Sequence, residues 1–185
     1  MKKTLVMSLV LASSIFAADY SGIIERPNAS EMIKKDLLPK ATAFTMPAGC
    51  VTDNPESIAR GAYIFHNLNG KKAKENPPKG LSRKQMQAGK TYLPGDKIPA
   101  KQYGNCVACH DIEGSVGPGN IGPSLVGYKE MFVASGVRDA QFVYQKIADP
   151  RIDNKDTHMT INLTNGLFNE SEVCDLTSYI LAPKK

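Results

Sequence analysis

The sequence predicts a small all-α domain. Two observations carry this. Three segments pair a helix-starting signal with apolar residues at helical spacing, near residues 54–66, 139–148 and 169–181. The stretches between them are rich in Gly, Pro and Asn, with no clear strand and no internal repeat. The 185 residues suit one domain.

The chain begins Met1-Lys2-Lys3, runs apolar from Leu5 to Phe16 and reaches small residues at Ala17-Ala18. A basic start, a short apolar stretch and a small-residue cleavage site read as a secretory leader over residues 1–17. The apolar run is too short to span a bilayer, so no stable membrane anchor is expected. Loss of Lys2 and Lys3 with the leader takes the formal charge from +5 to +3. That mild excess, without any nucleic-acid motif, gives no reason to expect a nucleic-acid partner. Residues 18–48 form an N-terminal extension, in which Asn28-Ala29-Ser30-Glu31 resembles a capping box opening a short helix that Pro39 ends.

The domain itself is assigned to 49–185. Asn54-Pro55-Glu56 starts its first helix: a capping side chain, proline at the first helical position, then an acid. Ile58, Tyr63, Ile64 and Phe65 supply the apolar face. Gly61 costs helix stability, and a close helix–helix approach would explain it. Residues 67–105 read as a long basic insertion with prolines at 77, 78, 94 and 99, and Ser82 as the cap of a short helix. Lys71, Lys72, Lys74, Lys79, Arg83, Lys84, Lys90, Lys97 and Lys101 face only Glu75 and Asp96. Such a loop is either a docking surface for an acidic partner or a solvated insertion.

Cys106-Val107-Ala108-Cys109-His110 follows. Two thiols and an imidazole in the order C-x-x-C-H are the attachment signature of c-type haem. Each thiol adds across a porphyrin vinyl group, and His110 supplies a ring nitrogen to the iron. The alternative, a C-x-x-C redox disulfide, would expect a thioredoxin-like βαβ pattern, which these loop-rich flanks do not offer. One covalent haem c is therefore the expected cofactor. The loop Gly114–Gly127 holds five glycines and two prolines. A carbonyl of Gly122-Pro123-Ser124 is well placed to accept the other ring N–H of His110, and Leu125 to pack on the porphyrin.

Asp139 caps the next helix, through Phe142, Val143, Tyr144 and Ile147, and Pro150 stops it. Asn169 and Glu172 form a capping box for the last, whose buried stripe is Val173, Leu176, Tyr179, Ile180 and Leu181. For the second axial ligand the candidates are Met159, His158, His66 and Met86. Position favours Met159, in the loop between these two helices. A thioether there raises the reduction potential. Cys50 and Cys174 remain. A disulfide between them is one reading; free buried thiols, or a bridge from Cys50 to a partner, are the others.

These residues resemble the class I cytochromes c. The matching set is Gly61 with Ile64-Phe65, the motif at 106–110, Gly122-Pro123-Ser124-Leu125-Val126-Gly127, Met159 and Tyr179. The resemblance implies first and last helices crossing at Gly61 beside Tyr179, over a covalently bound haem, with Pro123 accepting from His110. A narrower resemblance is to the SoxX family, monohaem subunits of the SoxAX cytochromes of sulfur oxidation. Gly104-Asn105-Cys106, Pro118-Gly119-Asn120-Ile121-Gly122-Pro123-Ser124-Leu125, Ile147-Ala148-Asp149-Pro150-Arg151 and Thr157-His158-Met159 carry it. Two features depart from the pattern: Thr160 stands where the family usually has proline after the methionine, and the basic insertion is long. The resemblance implies a periplasmic electron-transfer subunit in thiosulfate oxidation. It would pair with a SoxA-like haem subunit, serve a SoxYZ-like carrier through that complex, and deliver electrons to a soluble cytochrome. Such a chain belongs to an L-cysteine S-thiosulfotransferase type of complex but has no catalytic residue of its own. A free-standing periplasmic electron carrier and a haem sensor or peroxidase-like protein are the other readings.

Overall fold

Three α-helices form the described framework: α1 (Pro55–His66), α2 (Ala140–Ala148) and α3 (Glu170–Leu181). The computed structural model describes residues 40–68, 76–82, 84–85, 91–159, 163–164 and 166–184. These fall within one unit, Leu38–Lys185. The leader, the helix expected near 28–38, Met86, Thr160 and several lysines of the insertion lie outside the described residues. Among the described residues there is no strand, only an isolated bridge between Lys84 and Ala100. None of their helices is long and apolar enough to cross a membrane.

Each helix begins at its expected cap. The Asn54 side chain accepts from the Glu56 N–H, and Asp139 from Phe142. Asn169 and Glu172 form the full reciprocal box. Satisfying these first N–H groups sets where each helix starts.

α1 and α3 cross at Gly61. A Cβ there would stand 2.0 Å from the Asp175 carbonyl oxygen and 2.6 Å from the Tyr179 Cβ. Only a residue without one permits the approach. The contact buries Tyr63, Ile64 and Phe65 against Val173, Leu176, Tyr179 and Ile180. Two ion pairs flank it. Arg60 grips Asp175 with Nε at 2.7 Å and Nη2 at 2.8 Å, and Ser57 donates to the same carboxylate at 2.6 Å. Lys101 Nζ meets Glu172 Oε2 at 2.8 Å, both nearly enclosed. Lys101 is therefore no part of a docking surface. It is 4 % exposed, and Tyr103 beside it is fully buried, so the chain rejoins the core before residue 105. Ser82 caps no helix either; its hydroxyl closes a turn on Lys84, accepting from N–H and donating to C=O.

Residues 42–46, placed by sequence in the extension, lie along α2 as an extended strap. Thr42, Phe44 and Met46 N–H groups donate to Asp149, Gln145 and Gln141. Gln145 and Gln141 return bonds to the Thr42 and Phe44 carbonyls. One helical turn of four residues rises about 6 Å, and two residues of extended chain about 6.6 Å. That near-match lets successive turns of α2 satisfy alternate strap residues.

Cys50 and Cys174 are disulfide-bonded across 124 residues, tying the strap's far end to α3. Closing so long a loop restricts the unfolded chain. Cys50→Ser is expected to lower stability by about 2–3 kcal/mol, read as a drop in denaturation midpoint that reductant reproduces in the parent protein.

The Asp149 carboxyl is held down to about 2, from an ordinary 3.8, chiefly by the Arg151 side chain and against the opposing effect of burial. A carboxyl depressed by folding stabilises above its unfolded pKa and loses that contribution as pH falls. Stability is expected to fall as pH drops from about 4 towards 2. Asp149→Asn should flatten that slope in urea midpoints measured from pH 5 downward.

Candidate functional site

The site is built on the turn at 106–110. It hangs from the C-terminal end of α1, where Gly104 and Asn105 N–H groups bond the Ile64 carbonyl at 3.1 and 3.3 Å. Asn105 takes the left-handed conformation, φ 45°, among the few non-glycine residues that do so readily. Its carbonyl then accepts from Ala108 at 2.9 Å, opening the short 3₁₀ turn Cys106–Ala108. Cys109 and His110 N–H groups both return to the Cys106 carbonyl. Tight winding brings two thiols and an imidazole onto one turn.

Cys106 and Cys109 are free thiols, half-buried. A Cβ on Gly104 would meet the Cys106 sulfur at 2.7 Å and Phe168 at 3.2 Å, so both close on this position. Burial pushes the Cys106 thiol up to about 12. That is the opposite of the lowered values that make a redox C-x-x-C reactive.

The loop after the turn folds back over it. Gly119 N–H bonds the Val107 carbonyl and Gly122 N–H the Cys109 carbonyl. Gly122 lies against the His110 ring, where a Cβ would stand 2.4–2.8 Å from ring atoms. His110 Nδ1 lies 2.8 Å from the Pro123 carbonyl oxygen. A carbonyl only accepts, so Nδ1 carries a proton, and in the neutral ring Nε2 is the nitrogen with the lone pair. Such a ring is fixed in tautomer and orientation and can bind a metal through Nε2. Leu125 packs part-buried against the core, while Val116, Ile121 and Val126 are exposed. Glu113 accepts from Gly127 N–H, and Lys129–Val133 form a single π-turn beyond it. Neither feature has a spacing that sequence reasoning could have recognised.

Met159 is half-buried and His158 exposed. The Met159 N–H bonds the Thr157 hydroxyl at 3.1 Å. The described hydrogen bonds do not join this loop to the 106–110 turn. His66 is otherwise engaged: its Nε2 meets the Tyr179 hydroxyl at 2.8 Å. Burial, then the positive Lys184, hold its imidazole below the ordinary value. Among the described residues no group of three or more His, Cys, Asp or Glu could hold a bare metal ion.

Fold and site define the class as an all-α domain, without strands among the described residues, bearing a turn of two thiols and one oriented imidazole. No protein-family model matches the chain, and no curated protein matches it.

Proposed function

We propose that this chain is a periplasmic c-type cytochrome of the class I fold, the electron-transfer subunit of a SoxAX-type complex in thiosulfate oxidation. One observation carries the cytochrome reading: His110, its Nδ1–H spent on Pro123 so that Nε2 is the nitrogen left for a metal, stands on the turn that presents two unbonded thiols. The α1–α3 crossing at Gly61 supports the class I architecture.

The residues fit a haem c. Cys106 and Cys109 would hold it by two thioether bonds and His110 Nε2 would bind the iron. Glycines at 119 and 122 keep the loop close to the turn without side chains in the way. Exposed Val116, Ile121 and Val126 and part-buried Leu125 are the apolar residues of this same loop. When bound, such a group supplies a one-electron Fe(III)/Fe(II) couple. Met159 would supply the second iron ligand in this reading, and a soft thioether favours reduced iron. The Pro123 carbonyl keeps the imidazole oriented and raises its basicity. The SoxA-like partner, the SoxYZ-like carrier and the soluble acceptor rest on the SoxX resemblance of residues 104–181.

The test is expression with the leader in a host that matures c-type cytochromes, then co-purification from thiosulfate-grown native cells. The expected result is colour that survives denaturation, one haem on this chain and a second haem subunit bound. A coloured chain with no partner favours the free-standing carrier. A colourless chain overturns the proposal.

A further inference from the structure

We infer that Asp149 is a positioning residue for the 150–159 loop and, through it, for Met159; this rests on reading Met159 as the axial ligand. Asp149 is completely buried, with 0 % exposure. Its carboxylate accepts from the Thr42 N–H of the strap at 3.0 Å. It also accepts from Arg151 three times: the backbone N–H at 3.1 Å, Nε at 2.9 Å and Nη2 at 2.8 Å. One side chain thus joins the strap, the end of α2 and the start of the Pro150–Ile152 turn. Gln145, itself bonded to the strap, donates to the Asp149 carbonyl at 2.8 Å.

The loop's return passes the same point. Leu163 N–H and the Thr164 hydroxyl both donate to the Ala148 carbonyl at 3.1 Å. Ala148 is buried too. Outgoing and returning chain are therefore clamped at adjacent buried residues, forming a neck. Among the described residues beyond it the support is local: Asn154 to Pro150, Thr157 to Asn154, Asp156 to Asn154 and Met159 to Thr157. The Lys146–Asp153 pair reaches back to α2, but its side chains are about a third or more exposed and it contributes little. The neck supplies the buried hold on the loop, and a buried carboxylate with charge-assisted bonds is a strong one. Loosening it raises the population in which the Met159 sulfur is away from the iron.

The test uses ferric holoprotein and imidazole as competitor for the iron position. Loss of the near-infrared band of methionine-ligated ferric haem reports displacement. The parent protein should show this band and Met159→Ala should lack it. A parent without the band removes the ligand assignment and the inference with it. Given the band, Asp149→Asn is expected to bind imidazole about tenfold more tightly and Arg151→Lys about threefold, because the fork is lost though the charge stays. Arg60→Gln, which destabilises the distant helix crossing, should stay within about twofold. If Asp149→Asn does not fold, Arg151→Lys decides. Imidazole affinities of the neck variants indistinguishable from that of the parent, with the band present, would overturn the inference.

Discussion

Gly61→Ala is expected to destabilise the protein by about 2 kcal/mol, the upper end of the overpacking cost less the propensity gain, and Gly61→Val by more. Two effects compete. Glycine inside a helix is about 1 kcal/mol worse than alanine, so propensity alone favours the substitution. Packing opposes it. The added methyl would stand 2.0 Å from the Asp175 carbonyl oxygen and 2.6 Å from the Tyr179 Cβ. Neither is the far end of a flexible side chain, so α1 and α3 must separate. Overpacking of this kind costs about 1–3 kcal/mol and occasionally more. Separation also stretches the Ser57 and Arg60 bonds to Asp175. Packing wins by this reckoning. Urea denaturation of the full chain decides it, and an unchanged or raised midpoint for Gly61→Ala would refute the crossing.

On the proposed cytochrome reading, replacing Cys106 and Cys109 together by Ser is expected to abolish covalent haem, leaving no colour on the chain after denaturation. Both sulfurs lie on one short turn, and both are unbonded to any other cysteine. The remaining two cysteines are bonded to each other and offer no substitute. Each single variant should keep one thioether bond. The measurement is a haem stain after denaturing electrophoresis, with mass spectrometry of the chain. Colour surviving in the double variant would show that these thiols are not the attachment points.

Local chemistry explains what was legible beforehand. Asn54, Asp139 and Asn169 cap their helices because a cap needs only a side chain two or three residues from an N–H. The 106–110 turn was legible for the same reason. Pro123 beside His110 spans thirteen residues and was reached through a recognisable loop. The Cys50–Cys174 pairing stood among open alternatives until the structure brought the two together.

The unread parts are partnerships between distant residues. Lys101 looked like one more lysine in a basic loop, yet it is buried on Glu172. Composition records a charge without recording what faces it. His66 stood among the candidate iron ligands and is bonded to Tyr179. The strap at 42–46 carries no periodic signal, because its bonds use backbone groups that every sequence has.

Helix starts and the thiol–imidazole spacing are settled by neighbours along the chain, so the sequence alone determined them. The burial of Lys101, the seating of the strap and the meeting of chain segments at Asp149 were decided only by the tertiary structure. Those contacts span 71 residues from Lys101 to Glu172 and 107 from Thr42 to Asp149. Their free energy comes from excluding water around paired groups, and that requires the whole core to have assembled.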